Sequence, residues 1–297
     1  MRLARWRDTD GEEWLGTVEG DEVVAFAHAA DAGDGLLLRV ARERTAPSAQ
    51  ADPVPLEAVR LRAPLTRPPA IRDFYAFEAH VAAARASRGL EMDPDWYELP
   101  VFYFSNPHTV IGPGDDVPHP DTDELDYGFE VAAVIGADAA DLTEDEAVEA
   151  VAGYTVMNDW SARDLQRREM RLGLGPAKGK DFATSLGPFL VTPDELGGAP
   201  GRPRAAMVDR VNGDEWSRGE LADLHHPFPR LVPHASRDAR LRARDVIGSG
   251  TVGTGCILEL SAAGGRERYP YLSPGDVVEL EVEGIGVLRN VVGSRRA

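Results

Sequence analysis

Residues 273–292 read SPGDVVELEVEGIGVLRNVV. Apolar and polar side chains alternate along this stretch, and Gly284-Ile285-Gly286 supplies a turn, the pattern of two antiparallel strands with one buried face. The same signal recurs near the start of the chain. There, residues 12–27 (EEWLGTVEGDEVVAFA) predict a hairpin about Glu19-Gly20-Asp21. Between these ends, strands are predicted over 124–136 (ELDYGFEVAAVIG), 153–160 (GYTVMNDW), 189–192 (FLVT) and 256–260 (CILEL). Extended chain is expected over 101–112, ended by turns at Gly112-Pro113-Gly114. Residues 35–40 suit a short strand or a helical turn. Helices are fewer. The alanine-rich run after Asp73 predicts a helix from Asp73 to Leu90 with Asp73 as its N-cap. Thr143-x-x-Glu146 is a capping box that opens a helix to about Val151, and 161–170 predicts a short helix or turn. Strands dominate, so the fold class is a β-rich α+β protein. Residues 43–55 are polar and rich in Ala and Pro, as in a linker. The division of the chain is placed near residue 65, with a small unit at 1–65 and a large one at 66–297.

The 297 residues carry 32 Lys+Arg against 50 Asp+Glu, a formal net charge of -18. With 43% apolar residues the chain can bury a core, which excludes general disorder. Its negative charge, with no basic stripe to offset it, argues against a nucleic-acid partner. Cys256 is the single cysteine, so no disulfide can form within the chain, as suits a reducing compartment. No apolar run approaches the ~20 residues of a membrane span, and MRLARWRDTDGEEW has no secretory signal core. A cytoplasmic protein without membrane partners is expected. No phosphate loop GxxxxGK[ST], CxxC pair or HExxH helix occurs.

Five groups of residues could carry chemistry, and each also has a plainer reading. Asp73 and His80 lie seven apart, which on one helix places them on a shared face about 10 Å apart; a cap and an unrelated histidine would show the same spacing. In 124–130, a strand period of two puts Glu124, Asp126, Gly128 and Glu130 on one face, either solvated or a ligand row. Asp159 closes an apolar strand, where acids bind hard cations, yet it could equally cap the next helix. Lys180 sits beside Gly179 in a turn, as many surface lysines do. Ser249-Gly250-Thr251 precedes a predicted strand whose Glu259 faces opposite its leucines.

Taken together, these segments resemble the fumarylacetoacetate hydrolase family over roughly residues 70–297. The resemblance rests on Arg72-Asp73-Phe74-Tyr75 with His80, on Leu99-Pro100-Val101-Phe102-Tyr103, and on Leu125-Asp126-Tyr127-x-x-Glu130 followed by AAVIG. Asn158-Asp159-Trp160-Ser161-Ala162-Arg163-Asp164-x-Gln166 and the ending PGDVVELEVEGIGVLRN are its most specific runs. It implies a mixed β-sandwich or β-roll behind a small β-rich N-terminal domain. It also implies Asp73, Glu130 and Asp159 as ligands of Mg²⁺, with Ca²⁺ or Mn²⁺ as alternatives. His80 would be the general base, oriented by Glu259, with Lys180 steadying developing negative charge. Tyr103, Arg163, Gln166 and Thr251 would contact substrate. One position departs from the family pattern. Gly128 stands where the family has the first of two glutamate ligands, and Asp126, about 13 Å along a straight strand from Glu130, does not replace it.

The implied activity is hydrolysis of a carbon–carbon bond in a 1,3-diketo acid, fumarylacetoacetate or an acylpyruvate, in catabolism by a homodimer. Relatives of the same fold hydrate, isomerise or decarboxylate 2-oxo acids, which is the second expectation. A non-catalytic binding protein with a degraded metal site is the third.

Overall fold

A computed structural model of the protein describes residues 1–295. The chain begins with an antiparallel meander of β1 (Arg2–Arg7), β2 (Glu13–Glu19) and β3 (Glu22–His28), followed by α1 (Ala29–Glu43). Next come β4 (Ile71–Phe74), α2 (Glu78–Ala86), β5 (Phe102–Ser105) and β6 (Asp116–His119). The middle of the chain holds β7 (Phe129–Ile135), α3 (Glu144–Ala150), β8 (Val151–Asp159), α4 (Arg163–Arg171) and β9 (Thr184–Val191). The last third holds β10 (Ala206–Val211), β11 (Asp214–Glu220), α5 (Phe228–Ser236), β12 (Val246–Gly248), α6 (Ile257–Gly264), β13 (Val277–Val282) and β14 (Gly286–Arg295).

One large sheet runs β3-β2-β1-β9-β8-β7-β12-β4-β5, and a second runs β11-β10-β13-β14-β6. Along this order neighbours are antiparallel except β12 and β4, which run parallel; Val110–Ile111 also pairs parallel with the start of β9. The central strand β7 explains the apolar run FEVAAVI. Phe129, Val131, Ala133 and Ile135 enter a core that includes Met207, Leu280 and Leu288 of the second sheet. Ala132 and Val134 face the other way, into a core with Leu37, Leu38 and Val40 of α1. A strand covered on both faces has no solvated side to mark with polar residues.

The hairpins at 12–27 and 273–292 form as expected, as do the capping box at Thr143 and the short helix after Ala162. Residues 35–40 lie inside α1. Three expectations are corrected. Asp73 does not cap a helix: its backbone is in β4, in register with Gly248 on one side and Tyr103 on the other, and helix begins only at Glu78. Sheet pairing on both edges overrides the local helix preference there. The stretch 124–136 is not one strand. Leu125–Asp126 pairs with Ser161–Ala162, and β7 starts afresh at Phe129. Residues 256–260 are not a strand either. Ile257–Gly264 is helix α6, whose buried Ile257 and Leu260 follow helical spacing. The boundary placed near residue 65 falls just before β4, while sheet pairing crosses it where β1 pairs with β9.

Candidate active site

Three carboxylates from three strands converge. Asp73 on β4, Glu130 on β7 and Asp159 at the end of β8 each offer an oxygen within 4.8 Å of the others, and all three are buried. Strand β12 runs between β7 and β4, and it contributes Gly248 at the crossing. A Cβ at position 248 would lie 2.6 Å from Asp73 Oδ1 and 3.1 Å from Glu130 Oε2, so glycine keeps this space open. Asp73 Oδ1 is buried with no hydrogen-bond partner. Burial, then the charge of Asp159, pushes the Asp73 carboxyl up to about 7. Burial and the charges of Asp73 and Asp159 push Glu130 well above its ordinary value. Clustered buried acids of this kind resist ionising together unless a cation neutralises them. Three convergent oxygen ligands, an orphaned Oδ1 and a glycine-lined space fit a hard divalent cation.

The remaining lone pairs are held by named partners. Gly250 N donates to Glu130 Oε2 at 3.0 Å and Thr251 Oγ1 to Glu130 Oε1 at 3.3 Å. Tyr103 OH donates to Asp159 Oδ1 at 2.8 Å, while Lys180 Nζ is ion-paired with Asp159 Oδ2. Burial, then the charge of Asp159, raises the Tyr103 phenol well above its ordinary value, so it stays a neutral donor. Lys180 also lies 5.4 Å from the centre of the Tyr103 ring. Gly128 faces the same region: a Cβ there would be 3.0 Å from the Asp159 carbonyl oxygen and 3.1 Å from Thr251 Oγ1.

His80 lies on α2, and its Nδ1 is 2.9 Å from Glu259 Oε2 of α6. Both residues are buried. Burial pushes Glu259 up, but the attraction of His80 and hydrogen bonds from His80 and Cys256 outweigh it, holding the carboxyl below its ordinary value. The loop 249–253 joins this pair to the carboxylates. Thr251 touches Glu130, and a Cβ on Gly253 would sit 2.8 Å from Ala79 of α2.

Arg163 Nε donates to Asp126 Oδ2 at 2.7 Å and its Nη1 to Gln166 Oε1 at 2.9 Å, leaving Nη2 buried and unpartnered. Asp126 therefore belongs to Arg163 and not to the three-carboxylate cluster.

Three contributors were not found by sequence reasoning. Asp126 also accepts from the backbone amides of Ile257 and Leu258, so it holds the start of α6 as well as Arg163. Glu169 accepts from the amides of Ala177, Lys178 and Gly179 and so fixes the turn that presents Lys180. Gly248 has no sequence signal beyond being a glycine near Ser249. The acids of 124–130 and the Ala162–Gln166 run were the available hints for Asp126. A separate cleft of about 750 Å³, lined by Arg39, Arg42 and Asp194 among others, contains none of these residues.

The family model described as fumarylacetoacetate (FAA) hydrolase C-terminal matches residues 70–293. The chain is 31% identical over 242 residues to the oxaloacetate tautomerase YisK of Bacillus subtilis (strain 168), covering 80% of this chain and 74% of that protein. It is 29% identical to a fumarylacetoacetase of Oryza sativa subsp. japonica, covering 76% of this chain and 66% of that protein. A solved structure of a 5-carboxymethyl-2-hydroxymuconate delta-isomerase from Mycobacterium smegmatis superposes with a TM-score of 0.73 at 30% identity, covering 99% of this chain and 100% of that one. Among the described residues no helix is long and apolar enough to cross a membrane.

Proposed function

Because the chain belongs to the fumarylacetoacetate hydrolase family, we propose that it is a cation-dependent enzyme that hydrolyses a carbon–carbon bond in a 1,3-diketo acid. The observation that carries this reading is the buried His80–Glu259 pair beside the carboxylate cluster. With Nδ1 engaged by Glu259, Nε2 is the ring nitrogen left to take a proton from water. Hydroxide adds to one carbonyl carbon, the bond to the adjacent carbon breaks, and that carbon leaves as an enolate. The proton held on His80 then returns to the leaving carbon, so one water is consumed, the attacked carbonyl becomes a carboxylic acid and the other fragment leaves with its ketone intact.

Lys180, held against Asp159, is the chain's own cation placed to stabilise the developing negative charge. Asp73, Glu130 and Asp159 would hold Mg²⁺, or Mn²⁺ or Ca²⁺, which when bound supplies Lewis acidity toward the diketo oxygens. Thr251 and Tyr103 are assigned to substrate positioning, together with Gln166 and the unpartnered Nη2 of Arg163. The same reading includes a homodimer in the cytoplasm; light scattering on the purified protein tests its assembly.

A second reading is a tautomerase or isomerase of a 2-oxo acid, favoured by relatives that bear those names. That reaction moves a proton between carbon and oxygen and adds no water. Acylpyruvates with Mg²⁺ separate the readings. Hydrolysis removes the diketone absorbance and yields two products. Interconversion of oxaloacetate tautomers without any product of cleavage would favour the second reading. No Mg²⁺-dependent change in either substrate would leave the binding protein.

A further inference from the structure

Cys256 has no task in the reaction just described, yet its thiol lies against the proposed base. Cys256 Sγ donates to Glu259 Oε2 at 3.3 Å and lies 4.0 Å from His80 Nδ1, while His80 Nδ1 is 2.9 Å from the same Glu259 oxygen. Sulfur, nitrogen and oxygen thus form a small triangle. All three residues are buried, and their ligand atoms form a group separate from the three carboxylates. A tetrahedral ion with bonds of about 2.0 Å to N and O and about 2.3 Å to S needs ligand atoms roughly 3.3–3.6 Å apart. The three observed separations bracket that range, so shifts of a few tenths of an ångström, on the order of ordinary side-chain adjustment, would complete one face of a tetrahedron.

We infer that His80, Cys256 and Glu259 form an inhibitory binding site for a borderline-soft divalent cation such as Zn²⁺, distinct from the hard-cation site at Asp73, Glu130 and Asp159. The two donor sets sort by softness. A thiolate and an imidazole select zinc over magnesium, and carboxylates alone do not. On binding, the Cys256 S–H ionises and its proton leaves to solvent, and bonds form from sulfur, Nδ1 and the Glu259 carboxylate to the metal, with no change of oxidation state. The imidazole keeps one proton, which moves to Nε2. That nitrogen then donates a hydrogen bond instead of accepting a proton, so the base is silenced while the carboxylate site stays loaded. Binding stands on the triangle of ligand atoms alone; the loss of turnover rests also on the role proposed for His80.

The test uses the full-length protein saturated with Mg²⁺ and titrated with Co²⁺, then Zn²⁺. The chain has one cysteine, so a thiolate-to-cobalt charge-transfer band reports Cys256 without ambiguity. The expected result is a band that saturates at one equivalent, is bleached by Zn²⁺, and accompanies loss of turnover in the same titration. Cys256→Ser is expected to show no band and to weaken the Zn²⁺ inhibition constant by about 100-fold or more, relative to its own uninhibited rate. His80→Ala, which keeps the thiol, is expected to weaken Zn²⁺ binding by calorimetry to a similar degree. Absence of the band in the parent protein, or equal Zn²⁺ affinity in Cys256→Ser, overturns the site. A cobalt band that Zn²⁺ bleaches while turnover stays intact keeps the site and overturns the role of His80 as base.

Discussion

At the scale of single residues, His80 and Gly128 make opposite claims on the site. His80 bonds Glu259 and is no member of the carboxylate cluster. Replacing it with alanine is therefore expected to cut turnover by ~10²–10⁴-fold and leave Mg²⁺ affinity near that of the parent. Steady-state rates beside a calorimetric titration check both halves; a variant that turns over like the parent would remove His80 from the mechanism. Glu259→Gln keeps the shape but removes the charge that favours an imidazolium, so its pH–rate profile is expected to shift relative to the parent.

Gly128 is a different case. A glycine stands there where the resemblance implies a further glutamate ligand, and its backbone lies against Asp159 and Thr251. Any Cβ there meets atoms at 3.0–3.4 Å, so crowding must be separated from ligation. Gly128→Ala carries the crowding alone, and Gly128→Glu adds a fourth acid. The glutamate variant is expected to bind Mg²⁺ more tightly than the alanine variant, as more ligand charge tightens a divalent site. Equal calorimetric affinities would show that a side chain at 128 does not reach the cation.

At the scale of elements, the joint held by Asp126 decides how the two halves of the site meet. One carboxylate caps the amides of Ile257 and Leu258 at the start of α6 and pairs with Arg163 at the start of α4. Helix α6 carries Glu259, and α4 begins at Arg163, just past Ser161–Ala162, which follow the end of β8 at Asp159. Removing one partner of such a buried pair leaves an uncompensated charge, at a cost of about 3–5 kcal/mol. Asp126→Ala is expected to lose that much in urea unfolding and to slow turnover, because Glu259 loses the anchor of its helix. A loss below about 1 kcal/mol, the size of a surface pair, would refute the joint.

The same element shows why sequence reading failed locally. CILEL has five residues, too few for periodicity to separate a buried strand from the first turns of a helix. The cap that settles the matter comes from Asp126, 131 residues away from Ile257. Asp73 failed for a similar reason, since its strand exists only because β12 and β5 flank it.

At the scale of the whole molecule, the cation and the fold are linked through pH. Without a cation, Asp73 titrates near 7 in the folded protein against an ordinary value of 3.8. A raised carboxyl binds its proton more tightly folded than unfolded. Its contribution to stability is thus present in full below the unfolded value and is lost as pH rises through about 7. A cation replaces that proton. Mg²⁺ is therefore expected to raise Tm more at about pH 8 than at about pH 6, and its affinity is expected to fall as pH drops below about 7. Calorimetric melts with and without Mg²⁺ at the two pH values check the sign; a larger gain at the lower pH would contradict it.

By itself the sequence determined the β-rich class, the two clearest hairpins and the family. Each of these is written in local periodicity or in contiguous motifs such as NDWSARDLQ. It also named the three acids that converge, although on a wrong picture of the element carrying Asp73. Tertiary structure alone decided the rest: that Asp73 is a strand residue, that Glu259 rides on a helix, that Asp126 serves Arg163 and α6, and that Gly248 opens the space between Asp73 and Glu130. The physical reason is common to all four. Each depends on a hydrogen bond, a strand pairing or a close approach between segments remote in the chain, and no local pattern of side chains records which remote segment will arrive.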